Sequence, residues 1–313
     1  MTIRKLTAAD EQPVIKLWNA TLKEDLINKE NFYTRIICDV NFDPNLFLLA
    51  EEKNEIIGFA YGTKRRTPCE ASGLQPDNAW LVAMGCHPNH RRKGVGTALV
   101  KALEQALAER GAKNLDVGPY ATNYFFPGVD KENYASGVEF FKSLGYADKG
   151  ICSSMDLNLR NYETPQKYLD RQAKMLEQGY AFGHFKMSDY LHLFDFMEKY
   201  FPYWMPNIRE NILRGRGEET IQLAWNPGGE VVGFAMRAMD GTPGRFGPFG
   251  VASTQQGTGL GAILFHNLVR DMVERRIFYT WFLWTGGRNL DIYATWGMKV
   301  YRTYVMLGKL LSV

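Results

Sequence analysis

The sequence predicts a mixed α/β protein (α+β-like) of two tandem domains, each a mixed central sheet flanked by helices. Three observations carry this. The chain has 313 residues, more than one ordinary domain needs. Three short stretches recur in the same order in each half: EIIGFAYG (55–62) with EVVGFAMR (230–237), RRKGVGTAL (91–99) with QGTGLGAIL (256–264), and SLGY (143–146) with TWGM (295–298). Each half also alternates strand-like and helix-like patterns. A repeat of this length is a whole domain, not a small solenoid unit.

Each half opens with a short strand and an amphipathic helix, ADEQPVIKLWNATL (9–22) and SDYLHLFDFMEKYF (188–201), with Asp10 and Ser188 as expected helix starts. A hairpin follows. Apolar β-formers flank the turns KNE and NPGG in LFLLAEEKNEIIGFAYG and TIQLAWNPGGEVVGFAM. The next strand, NAWLVAMGC or GRFGPFGVA, runs straight into the glycine stretch and a helix. Leu99, Leu103 and Leu107 fall on one face of the first helix, and Gly111 stops it; Ile263, Leu264, Leu268 and Met272 line the second. A further strand (NLDVG; IFYTWFLW), a helix and a last strand are expected to complete each half.

Between the copies lies RNYETPQKYLDRQAKMLEQG (160–179). Thr164 and Pro165 open a helix, since proline is tolerated at a first helical position, and Gly179 ends it. The expected domains are therefore 1–159 and 180–313, joined by a connecting helix over 160–179.

Hydrophobic content of 45% and charged content of 23% suit a globular chain, and a net charge of +3 is too balanced to argue for nucleic acid or an anionic membrane as partner. No apolar run approaches the roughly 18 residues of a membrane helix. The opening MTIRKLTAADEQ brings Asp10 and Glu11 where a secretory signal needs apolar residues, so export is not expected. Cys38, Cys69, Cys86 and Cys152 are scattered, with no C-x-x-C pair, as in a reduced, cytoplasmic protein. CHPNH (86–90) has no second ligand cluster, so a strand end and turn is expected there and no metal.

The glycine stretches sit where a strand turns into a helix. The first N–H groups of a helix lack internal partners and carry partial positive charge. Glycine leaves them open to a ligand, so each stretch reads as an anion cradle suited to a pyrophosphate. Arg91, Arg92 and Lys93 add cations to the first copy, whereas the second is nearly all backbone. The spacing of neither copy fits G-x-G-x-x-G or a P-loop. A tight turn without ligand is the plain alternative.

The pattern Arg/Gln-x-x-Gly-x-Gly/Ala on such a turn resembles the acyl-CoA signature of the GNAT family of N-acetyltransferases. Arg91, Arg92, Lys93, Gly94, Val95 and Gly96 match it, with Thr97 next in line. Gln256, Gly257, Thr258, Gly259, Leu260 and Gly261 match it again, followed by Ala262. The family's small apolar residue five positions upstream, whose backbone pairs with pantetheine, falls at Cys86 and Val251. The family's F-Y-x-x-x-G-F falls at Phe140–Tyr146 and, more loosely, at Ile292–Met298.

The resemblance covers nearly the whole chain twice. It implies two tandem acyl-CoA N-acyltransferase folds, with acetyl-CoA (coenzyme A) as cosubstrate and no metal. The implied reaction is direct attack of a small-molecule or peptide amine on the thioester, by a monomer or homodimer. Tyr293 stands where the family's acid stands, and a phenol still holds its proton near neutral pH and can give it to a departing thiolate. Its counterpart Phe141 has no proton to give. The second half is thus the expected catalytic domain, and the first is degenerate, acyl-CoA-binding only, or rescued by water or Tyr134. No base is assigned among Glu218, Glu219, Asp240 and His266. Tyr203 and Trp204, after the first helix of the second half, are candidates to meet the acceptor. The rival reading is a non-catalytic acyl-CoA-binding or sensor module, which has no use for Tyr293.

Overall fold

The computed structural model describes residues 1–69, 71–120 and 125–311. The first half contains β1 (Thr2–Lys5), α1 (Glu11–Thr21), the single-turn α2 (Lys29–Phe32), β2 (Phe47–Glu52), β3 (Glu55–Thr63), β4 (Asn78–Cys86), α3 (Val95–Ala108), β5 (Asn114–Val117), β6 (Val129–Asp130), α4 (Ala135–Ser143) and β7 (Ala147–Asn158). After the connecting α5 (Gln166–Glu177) a similar order returns: β8 (Ala181–His184), α6 (Tyr190–Tyr200), α7 (Met205–Leu213), α8 (Gly217–Thr220), β9 (Ile221–Trp225), β10 (Val231–Arg237), β11 (Phe246–Val251), α9 (Leu260–Glu274), β12 (Tyr279–Thr285), α10 (Arg288–Thr295) and β13 (Lys299–Leu310). This is the expected mixed α/β architecture, with mostly antiparallel sheets flanked by helices.

Three of the helix signals are borne out and one shifts. Asp10 precedes α1, and its carboxylate accepts from the Thr7 N–H at 2.8 Å. In the second half that role falls to Asp189, which accepts from the Lys186 N–H at 2.8 Å, so Ser188 is one residue early. Gly111 and Gly179 close their helices with φ of 79° and 88°, a conformation that favours glycine.

The chain divides into two compact units, but not at 159/160. Unit 1 comprises Met1–Pro68, Ser72–Cys152 and Arg302–Val313; unit 2 comprises Cys69–Ala71 and Ser153–Tyr301. The last strands are exchanged relative to the expectation that each completes its own half. Within unit 1, β5 pairs with β13 from Leu307↔Val117 to Leu310↔Asn114. Within unit 2, β12 pairs with β7 from Tyr279↔Asn158 to Thr285↔Ser153.

In unit 1 the strand order is β1-β2-β3-β4-β5-β13, with β4 and β5 parallel and the other pairs antiparallel. Alternation along β2 feeds a core on each face: Leu48 and Ala50 pack with Leu99, Leu103 and Leu107 of α3, and Phe47 and Leu49 with Leu17 and Trp18 of α1. In unit 2 the order β8-β9-β10-β11 is antiparallel, and one core joins it to α6 and α9.

Helix and sheet meet at paired glycines. A Cβ on Gly58 in β3 would lie 2.9 Å from both Val95 and Leu99; one on Gly233 in β10 would lie 2.9 and 2.7 Å from Leu260 and Leu264. Glycine at these two points lets the helix behind each glycine turn lie flat on its sheet.

Candidate active site

The two glycine turns have the same backbone path. β4 ends at Cys86, which pairs with Gly58, and β11 ends at Val251, which pairs with Gly233. One residue on, the His87 N–H donates to Ile57 O and the Ala252 N–H to Val232 O, each at 2.9 Å. A short 3-10 turn follows, Pro88–His90 or Ser253–Gln255. Positive φ then falls at the same two places: Arg92 (62°) and Gly94 (82°), Gly257 (82°) and Gly259 (88°). The helices begin at Val95 and Leu260, with Ala98 N–H donating to Gly94 O at 3.0 Å and Ile263 N–H to Gly259 O at 3.2 Å.

Such turns aim helix N–H groups outward. Arg91, Arg92 and Lys93 are exposed, as are Gln256, Gly257 and Thr258; Gly96, Thr97 and Gly261 are half-buried. A Cβ on Gly94 or Gly257 would meet nothing within 4 Å, so the space at these two glycines is open, whereas one on Gly259 would meet the Arg171 side chain. Val95, Leu260 and Ala262 are buried, so only their backbone can face a ligand. Arg91 Nε donates to the Cys86 carbonyl at 3.3 Å, and burial raises the half-buried Cys86 thiol's pKa.

Near each turn the strand that leads into it has lost its parallel neighbour. β4 and β5 pair only from Asn78↔Asn114 to Leu81↔Val117, and β4 then runs on to Cys86 beyond that ladder. β11 and β12 touch at a single parallel bridge, Arg245↔Trp281, immediately before β11 begins. The strands therefore join at one end and part toward the glycine turn. In β11 the pairing steps from Ala235↔Phe249 to Arg237↔Phe246, so Gly247 and Pro248 together face Met236.

Tyr293 on α10 stands among aromatic rings from both strands: Phe282 at 4.7 Å, Phe246 at 6.1 Å and Phe249 at 6.4 Å between centroids, with Trp296 at 5.3 Å. Its hydroxyl makes no hydrogen bond among the described residues, and burial raises its pKa above the usual tyrosine value. Phe141, the counterpart in unit 1, is buried against Phe140 and Tyr146. The Tyr134 hydroxyl donates to Asp25 at 2.8 Å and accepts from the Glu24 N–H at 3.2 Å; burial and the Asp25 charge raise its pKa.

The groups left open as bases have structural partners. Glu219 pairs with Arg237 at 2.5 Å and Asp240 with Arg245 at 3.4 Å, and Glu218 accepts from the Met187 N–H at 3.2 Å. His266 is buried in contact with the Tyr162 hydroxyl, its pKa lowered to about 4 by burial and the Lys167 charge. After α6, Phe201 packs over Gly250 of β11, where a Cβ would lie 2.6 Å from its ring atoms. Tyr203 is exposed, and Trp204 is half-buried against the core.

A cleft of about 350 Å³ lies elsewhere in unit 2, lined by His184, Gln222, Asn267, Arg270 and Asp271 among others, and no residue of the glycine turn borders it. Among the described residues no three of His, Cys, Asp and Glu converge as a metal site requires, and no helix is long and apolar enough to cross a membrane.

Comparison with known proteins agrees with this geometry. A family model described as the acetyltransferase (GNAT) family matches residues 12–126. An acetyltransferase of Sodalis glossinidius is 30% identical over 118 residues, 37% of this chain and 74% of its own length. One from Pectobacterium atrosepticum is 32% identical over 116 residues, 37% of this chain and 73% of its own. Among solved structures, the fold resembles a glucosamine N-acetyltransferase region of a fungal multi-domain GH3 β-N-acetylglucosaminidase (TM-score 0.82, 20% identity, 98% of this chain), although the chain spans only 38% of that protein. It also resembles a GCN5-related N-acetyltransferase from Sphaerobacter thermophilus (TM-score 0.72, 18% identity, 100% and 96% of the two chains) and a tandem GNAT protein from the clavulanic acid biosynthesis pathway (TM-score 0.68, 13% identity, 100% and 99%).

Proposed function

The chain belongs to the GNAT family of acetyltransferases, and from that premise we propose that it transfers acetyl from acetyl-CoA to a primary amine, with the reaction centred in unit 2. The observation that carries the location is Tyr293, an unpartnered phenol between strands that part toward a glycine turn.

Acetyl-CoA, when bound, supplies the thioester to be cleaved. The residues present fit it, because the turn is open above Gly257 and carries no side chain at the two positive-φ positions. The N–H groups of Gly259, Leu260, Gly261 and Ala262 would hold the pyrophosphate, and the backbone of Val251 would align the pantetheine arm. Attack would form the C–N bond and break the C–S bond, the proton lost by the amine passing to water and, through it, back to the phenolate left on Tyr293. Tyr293 gives its proton to the leaving sulfur, and its raised pKa keeps that proton in place at neutral pH. Tyr203, exposed beside Phe201, would form part of the acceptor wall.

In unit 1, Arg91, Arg92, Lys93 and Gly94 would bind the same donor, but Phe141 offers no acid and Tyr134 is held by Asp25. Unit 1 is read as an acyl-CoA-binding or scaffold unit. The test is a screen of primary amines with acetyl-CoA, glucosamine and peptide N-termini among them, reading thiol release. Binding of acetyl-CoA with no acceptor-dependent release by any amine would favour the non-catalytic sensor.

A further inference from the structure

The second glycine turn has no cation of its own, yet a guanidinium lies against it. Arg171 of α5 donates from Nη1 to the Thr258 carbonyl at 3.3 Å. Its side chain covers the α-carbon of Gly259 so closely that a Cβ there would sit 2.5 Å from Arg171 Cδ. Glycine at 259 thus serves two ends, the positive φ of 88° and room for this arginine.

The placement is anchored. α5 runs along α9 in the opposite direction: the Tyr168 ring lies 4.1 Å from that of buried His266, Arg171 reaches Gly259, and further on the Tyr180 hydroxyl donates to Gln255 at 2.9 Å. Met175, buried in the core, holds the helix between these points.

The electrostatics are lopsided. Arg171 has no carboxylate partner among the described residues, and the 15-residue α9 puts partial positive charge beside it. Lys167 and Lys174 lie four before and three after Arg171 and share its helix face. The Arg171 guanidinium and the α9 N-terminus set like charge beside like until an anion arrives. In the first copy Arg91, Arg92 and Lys93 put the cations in the turn itself, where the second has Gln256, Gly257 and Thr258.

We propose that Arg171 supplies the missing cation, contacting the phosphates of coenzyme A at the second turn. This rests on the reading of that turn as an acyl-CoA site. The test uses the full chain carrying Gly94→Asp, so that only the second turn is left to bind. Calorimetry with coenzyme A is compared at low and high salt, and with pantetheine, which has no phosphate.

Arg171→Ala should weaken coenzyme A about tenfold, the lower end for a charge-assisted hydrogen bond, and flatten the salt dependence. Pantetheine binding should not change, and Arg171→Lys should restore part of the loss. Unchanged or tighter coenzyme A binding in Arg171→Ala overturns the proposal, the tighter result marking the arginine as an obstruction. Gly259→Asp in the same background separates the two failures. If it too leaves binding intact, or if Gly94→Asp alone abolishes binding, the second turn is not the site and both readings fall.

Discussion

Arg302 holds Asp25 in a two-pronged ion pair, Nη1 and Nη2 donating to the two carboxylate oxygens at 2.7 and 2.8 Å, while its Nε donates to Asp130 at 2.6 Å. All three side chains are largely withdrawn from water. Removing one member of such a group leaves charge buried without a partner, which costs about 3–5 kcal/mol. Arg302→Met is therefore expected to lower the stability of unit 1 by several kcal/mol and to leave unit 2 nearly unchanged. Thermal unfolding followed by fluorescence of Trp18, in the unit 1 core, against Trp296, in unit 2, would tell the units apart. Equal loss in both would contradict the assignment of Arg302 to unit 1.

Deleting the strand itself is a sharper version. A chain stopped after Tyr301 loses one of the two partners of β5 and the buried residues Tyr304, Val305 and Leu307. Hydrogen exchange should show the β5 amides that face β13 unprotected, while the rest of the β4–β5 ladder and β9 and β10 stay protected. Protection of that edge of β5 in such a chain would mean that another strand takes the place of β13.

Tyr293→Phe removes one hydroxyl that has no hydrogen-bond partner among the described residues. Turnover should fall about 10²–10⁴-fold, the usual worth of a positioned acid, with little change in acetyl-CoA affinity or in melting temperature. Because burial raises the pKa of this phenol, the wild-type rate should show no alkaline decline from it below about pH 10. Full turnover in the variant would move the search for the acid away from α10.

Gly259→Asp places a carboxylate at the second turn and a Cβ against Arg171. Coenzyme A binding at that turn should be lost. Both turns share one backbone path, so calorimetry on the wild-type chain should give two sites, and on this variant one. A wild-type value of one that Gly259→Asp abolishes would make the first turn vestigial.

His266 gives a pH signature. Its folded pKa is about 4, lowered from 6.5. As pH falls, the unfolded chain takes up this proton first. Stability is thus fully present above about pH 6.5 and declines down to about pH 4, with a loss on the order of 2 kcal/mol between about pH 7 and pH 5. His266→Phe should flatten that part of the urea-midpoint profile. An unaltered slope would mean that other groups set the acid limb.

What could be read in advance was local. Both glycine turns, the β4 span and the faces of α3 and α9 follow from neighbours a few residues apart, which is where backbone preference and periodicity act. Strand pairing does not work this way: β5 joins β13 across nearly two hundred residues, and no propensity distinguishes that partner from β7, which has a similar pattern. Arg171 was hidden for the same reason, since 87 positions separate it from the carbonyl it meets. Glycine at 259 is the local trace of that contact, but a ligand site accounts for a glycine there equally well. The step in β11 at Gly247 and Pro248 was foreshadowed by a proline inside a strand, a residue that cannot donate to a ladder.

The exchange of last strands bears on how the protein is made. A ribosome delivers the chain from its N-terminus, and domains ordinarily fold in that order as they emerge. Here the half delivered first is finished last. β5 keeps an open edge, a template for wrong pairing, until β13 has been translated. A nascent chain cut short anywhere before Arg302 leaves that edge uncovered, so completing the first unit is a check that translation has passed β13.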